Sequence, residues 1–151
     1  MNALCPDLGT RAYFYETEWI KMSIQEEAVR LHSDGCNCAQ CVLCACSKYT
    51  GLEKEISLAI ACGFGGGVRC GEICGAISGA VMAIGAAAKQ NMNGGGMANV
   101  ASLTKKTTGA FREKFASVRC LDLKRAGVPC DELIAFGAET AEKLIKEERG
   151  E

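Results

Sequence analysis

Gly71-Glu-Ile-Cys-Gly-Ala-Ile-Ser-Gly-Ala-Val-Met-Ala-Ile-Gly-Ala-Ala-Ala88 is the stretch that decides the fold. Between Glu72 and Lys89 it holds no charge, and Ser78 is its one hydroxyl, so a helix here is apolar on every side instead of along one stripe. Such a helix reads as central and buried in a core. It is shorter than the roughly 20 apolar residues that a bilayer span needs. We read it as a core helix and expect no membrane partner. Gly63, Gly67, Gly71, Gly75, Gly79, Ala83 and Ala87 recur every four residues, which leaves one ridge of the helix nearly bare. A second helix can approach closely there, within the domain or across a homodimer interface.

Outward from this segment the apolar residues keep helical spacing, and β-branched residues nowhere gather into an alternating run. Upstream, Ile20, Ile24, Ala28 and Leu31 form a stripe, with Ser23 and Glu26 spaced as a capping box and Gly35 as a stop. Asn37 caps a helix expected over Cys38 to Tyr49, and Gly51 ends it. A third helix spans about Leu52 to Cys62 and leads into Gly63-Phe-Gly-Gly-Gly67. Downstream, 90–97 reads as a flexible glycine loop. Val100, Leu103, Thr107, Phe111 and Phe115 then mark a further helix, and a connection holding Cys120, Gly127 and Pro129 precedes a last one from about Asp131 to Lys146. The expected fold is all-α: a single compact bundle of five or six helices around the Gly/Ala-rich one, occupying 22–148, with 1–21 as an N-terminal extension.

Composition narrows function. A net charge of -1 from 17 Lys+Arg and 18 Asp+Glu offers no basic stripe for nucleic acid. The first twenty residues, with Asp7, Arg11, Glu16 and Glu18, do not read as a signal peptide, so a cytoplasmic location is expected. In that setting the 11 cysteines are ligands, redox thiols or small buried hydrophobes more readily than structural disulfides.

Cys38, Cys41 and Cys44 start like a ferredoxin cluster motif, but Cys46 comes too soon and Ser47 stands where proline is needed. Cys41, Cys44 and Cys46 read instead as buried hydrophobes. A zinc site from Cys41, Cys44, Cys70 and Cys74 would have no histidine and no zinc-ribbon strands. Cys38 and Cys74 fall in the first turn of expected helices, where free N–H groups favour a thiolate. The glycine run misses both nucleotide patterns: Val68 stands where G-x-G-x-x-G needs glycine, and Glu72 where a phosphate-binding lysine belongs. We expect no nucleotide, and no haem, since His32 lacks a flanking C-x-x-C. Gly65, Gly66, Gly67 and Glu72 are instead assigned to close backbone approach around a cofactor beside Cys70 and Cys74.

Asn37-Cys38-Ala39-Gln40, Gly63-Phe-Gly-Gly-Gly67, Gly71-Glu72-x-Cys74-Gly75-Ala76-x-x-Gly79, Phe115-Ala-Ser-Val-Arg-Cys120 and Cys130 together resemble the C_GCAxxG_C_C family of redox-active proteins, from about Met22 to Ile145. The middle motif differs by one position, since Cys74-Gly75-Ala76 stands where the family name spells Gly-Cys-Ala. Cys70, four residues before Cys74 and outside that pattern, is a further candidate metal ligand. The resemblance implies a helical fold and a redox role, and it places the site cysteines at Cys38, Cys74, Cys120 and Cys130. These cysteines are expected at helix ends, within roughly 10 Å of one another. They would hold an iron-sulfur cluster or act as a redox dithiol that serves a redox partner protein. The alternative is a zinc-binding or interaction module. A thiol enzyme lacks a visible base.

Overall fold

The computed structural model describes residues 22–88 and 97–151. They form eight helices: α1 (Ile24–Ser33), α2 (Cys38–Ala45), α3 (Ser47–Thr50), α4 (Lys54–Ala61), α5 (Gly75–Ala87), α6 (Met97–Phe115), α7 (Cys120–Arg125) and α8 (Cys130–Arg149). The protein is all-α: among the described residues the only β pairing is an isolated bridge between Ile73 and Arg119. None of these helices is long and apolar enough to cross a membrane. The extension assigned to 1–21 and the loop at 90–96 lie outside the described residues, and Met97 already opens α6.

Local chemistry sets the helix boundaries. Ser23 and Glu26 close the capping box, with the Glu26 N–H donating to Ser23 Oγ at 3.2 Å and the Ser23 N–H to Glu26 Oε2 at 2.8 Å. The helix expected over Cys38 to Tyr49 breaks at Cys46 (φ -83°, ψ 8°) into α2 and α3. A short 3-10 turn, Cys62–Phe64, follows α4. The glycine-rich helix begins at Gly75, not Gly71, because Glu72 and Cys74 have non-helical backbone angles.

α5 packs against α2, α8 and α6. A Cβ at Gly79 would sit 2.5 Å from the Ala39 carbonyl oxygen and 3.0 Å from Val42 Cβ, and one at Gly137 of α8 would sit 2.9 Å from the Ala76 oxygen. The bare ridge is therefore occupied by α2 of the same chain. On the remaining side Ser78, Val81, Met82, Gly85 and Ala86 are only half-buried. Two brackets hold α8 across this core. Phe111, Phe115 and Phe136 stack with ring centroids 5.0 to 5.7 Å apart, and Arg149 Nη2 donates to the Tyr49 and Ala87 carbonyls at 2.9 and 3.3 Å.

Candidate functional site: cysteines at four helix starts

Cys38, Cys120 and Cys130 are the first residues of α2, α7 and α8, and Cys74 is the N-cap of α5. The fold brings these four together. Cys38 is close enough to interact with Cys130 and feels the charge that Cys74 and Cys120 would carry as thiolates. Cys74 likewise feels Cys120 and Cys130. A helix start directs free N–H groups and the positive end of the dipole at whatever sits there.

Each start is pinned from the sequence upward. Asn37 and Gln40 close a second capping box, both bonds at 3.0 Å. The same side chains anchor α2 to the end of α4: Asn37 Nδ2 donates to the Cys62 carbonyl and Gln40 Nε2 to that of Leu58, each at 2.9 Å. Gly65 and Gly75 let the chain lie on this corner, since a Cβ at Gly65 would be 2.6 Å from Asn37 Cβ and one at Gly75 3.1 Å from Cys38 Cβ. The Cys74 N–H donates to the Val118 carbonyl at 2.9 Å and the Cys120 N–H to that of Glu72 at 2.6 Å, which seats α7 beside α5. His32 Nδ1, 2.6 Å from Asp131 Oδ1, holds the start of α8 against the end of α1.

Burial dominates the electrostatics. Cys74 and Cys120 are buried, while Cys38 and Cys130 are half-buried at the edge of the group. Loss of solvent, then the neighbouring sulfurs, push the Cys38 thiol up to about 12. Burial raises Cys74 to about 11, against the opposing pull of the Ala76 and Ile77 N–H groups in the first turn of α5. The Cys38 and Cys74 thiols therefore rest protonated at neutral pH. Beyond Cys38, Cys41 interacts with Cys36, Cys38 and Cys44, its sulfur 3.5 Å from the Cys36 carbonyl, and burial raises its pKa as well. Cys46 is fully buried and raised to about 12. Cys62, expected at the end of the third helix, is the exposed residue that caps α4.

The turn Gly67–Gly71 covers the start of α7 in a conformation that the sequence did not suggest. Gly66 and Gly67 are left-handed (φ 63° and 65°), and so are Val68 (φ 55°, ψ 40°) and Arg69 (φ 59°, ψ 8°). For a β-branched residue this is costly, about 1–3 kcal/mol. Gly67 is confined, since a Cβ there would sit 2.6 Å from the Glu72 nitrogen and 2.8 Å from Cys120 Cβ. Cys70 is exposed, its sulfur 3.4 Å from the Gly67 carbonyl, which places it outside the buried group. Glu72 is exposed too, and its carboxylate accepts from Arg119 at 3.1 and 3.3 Å.

Four cysteines suit zinc or an iron-sulfur cluster as a donor set. As the side chains stand, however, no three His, Cys, Asp or Glu among the described residues are disposed to hold a metal ion, so the residues do not fit a preformed metal centre. The ten described cysteines are all unbridged. Sequence reasoning missed α7, the tie of Asn37 and Gln40 to α4, and the left-handed turn. The capping box was readable in Asn37-x-x-Gln40; the three missed features depend on tertiary contacts.

Searches among curated proteins and among solved structures give no match. The family described as "Putative redox-active protein (C_GCAxxG_C_C)" matches residues 36–144. That span contains Cys38, Cys74, Cys120 and Cys130, the turns between α4 and α5, and the bare ridge of α5. The chain belongs to the C_GCAxxG_C_C family.

Proposed function

We propose that the protein is a thiol–disulfide redox carrier whose working couple is Cys38 and Cys130. The observation that carries this reading is the approach of those two thiols, from two helix starts, close enough to interact at the half-buried edge of the group. Oxidation removes two electrons and two protons from the pair and forms one S–S bond. A disulfide of a redox partner protein accepts them and becomes two thiols. Burial keeps the resting Cys38 thiol neutral, and N–H groups at a helix start favour a thiolate as it forms. Cys74 and Cys120 are a second pair, sealed behind the first. Such chemistry suits a compartment where thiols are held reduced, such as the cytoplasm.

The test is anaerobic purification followed by metal, sulfide and thiol analysis. The reading predicts colourless protein without stoichiometric metal that loses thiols two at a time on mild oxidation. Brown protein with iron and acid-labile sulfide, or protein with bound zinc, would overturn it in favour of a metal site on the same four cysteines.

A further inference from the structure

We propose that Cys36 and Cys41 are a further dithiol, which takes over the disulfide of the Cys38–Cys130 couple by exchange through Cys38. The inference rests on the dithiol reading above and enlarges its capacity. Asn37 and Gln40 fix the first turn of α2 with a capping box, both bonds at 3.0 Å. Beside such a box the residue before the N-cap packs on the fourth residue of the helix, as a staple. In α2 those two positions are Cys36 and Cys41, 7% and 0% exposed. The Cys41 sulfur lies 3.5 Å from the Cys36 carbonyl oxygen, and so no more than about 6 Å from the Cys36 α-carbon. Cys36 is itself fixed to the end of α1, its N–H donating to the Leu31 carbonyl at 3.1 Å. Cys41 also completes a C-x-x-C with Cys38 at the start of α2, and residues three apart are neighbours on one helix face. Cys41 interacts with both Cys36 and Cys38. Since Cys38 is half-buried, a partner's disulfide meets it before either inner sulfur.

The exchange balances in two steps. Cys41 attacks the Cys38 sulfur of the Cys38–Cys130 disulfide; a Cys38–Cys41 bond forms, and Cys130 leaves as a thiolate that takes up the Cys41 proton. Cys36 then attacks the Cys41 sulfur, forming the Cys36–Cys41 bond, and Cys38 leaves and takes up the Cys36 proton. Two electrons and two protons pass from the inner pair to the outer one. The outer dithiol is then free to reduce a second partner disulfide.

The experiment treats the reduced full-length protein with excess diamide, blocks the remaining thiols at successive times, and maps disulfides by mass spectrometry. In the parent a Cys36–Cys41 bond should follow the Cys38–Cys130 bond. Cys38→Ser should slow formation of Cys36–Cys41 at least tenfold. Cys44→Ala, which removes the other sulfur beside Cys41, should match the parent. Cys36 and Cys41 left as thiols once Cys38–Cys130 has closed, a Cys41–Cys44 bond in place of Cys36–Cys41, or a parental rate in Cys38→Ser would overturn the proposal. Loss of the dithiol reading has a different signature: Cys38 and Cys130 then stay unlinked both in the parent and in Cys36→Ala, which has no inner pair to draw the bond away.

Discussion

Gly79 and Gly85 lie in the same helix but in opposite surroundings, and that contrast yields a quantitative prediction. An alanine at Gly79 would place its Cβ 2.5 Å from the Ala39 carbonyl oxygen, where about 3.3 Å is the normal limit for carbon and oxygen, so α2 and α5 must separate by roughly 0.8 Å. Overpacking of this kind costs about 1–3 kcal/mol, partly offset by the roughly 1 kcal/mol that alanine gains over glycine in a helix. A Cβ at Gly85 meets nothing within 4 Å, so Gly85→Ala keeps only the gain. The two variants should therefore differ by about 1–3 kcal/mol, and Gly79→Ala should melt several degrees below Gly85→Ala in thermal denaturation followed by circular dichroism. Because Ala39 follows Cys38, Gly79→Ala should also slow closure of the Cys38–Cys130 disulfide. Equal melting temperatures, or a more stable Gly79→Ala, would refute the claim that the α2–α5 contact sets the position of Cys38.

Two further outcomes follow from the site. Val68→Gly should stabilise the protein by up to about 1 kcal/mol, because glycine accepts φ 55° without the steric penalty that valine suffers; a lower denaturation midpoint would show that the Val68 side chain contributes contacts worth more than the strain. Stability of the reduced protein should fall as pH rises from 9 towards 12. The unfolded chain loses its Cys38 and Cys74 protons near the ordinary value of 9, whereas the folded chain keeps them to about 12 and 11. Their contribution is thus complete below pH 9 and declines by about 1.4 kcal/mol per thiol per pH unit above it. Urea titrations at pH 8 and 10.5 measure this, and an unchanged midpoint would contradict the burial of these thiols.

Helix positions were legible where one segment carries its own signal. Ser23-x-x-Glu26 closes a capping box, and the Ile24, Ala28 and Leu31 stripe is buried. The every-fourth-residue ridge at Gly75 and Gly79 announces a close helix contact, and α2 makes it. What escaped the sequence arises between segments. α7 has six residues and is seated by the Cys120–Glu72 backbone bond and the Ile73–Arg119 bridge, contacts to a segment nearly fifty positions away. Val68 and Arg69 have no intrinsic preference for left-handed angles; the packing of Gly67 on Cys120 and of Gly71 on Leu121 imposes them. Within the site, the helix-start setting of Cys38 and Cys74 was readable from their flanks. Cys120 and Cys130 came only from the resemblance, because no local pattern marks the start of α7 and Pro129 was the sole cue for α8.

The central claim is that Cys38 and Cys130 form one redox couple. Its most direct measurement is the disulfide map of the parent protein after stoichiometric diamide, with free thiols blocked before digestion and the linked peptides identified by mass spectrometry. The account predicts that the first bond to appear joins Cys38 to Cys130, ahead of any bond to Cys41, Cys44 or Cys62. A first bond elsewhere, with Cys38 and Cys130 still free, would contradict it.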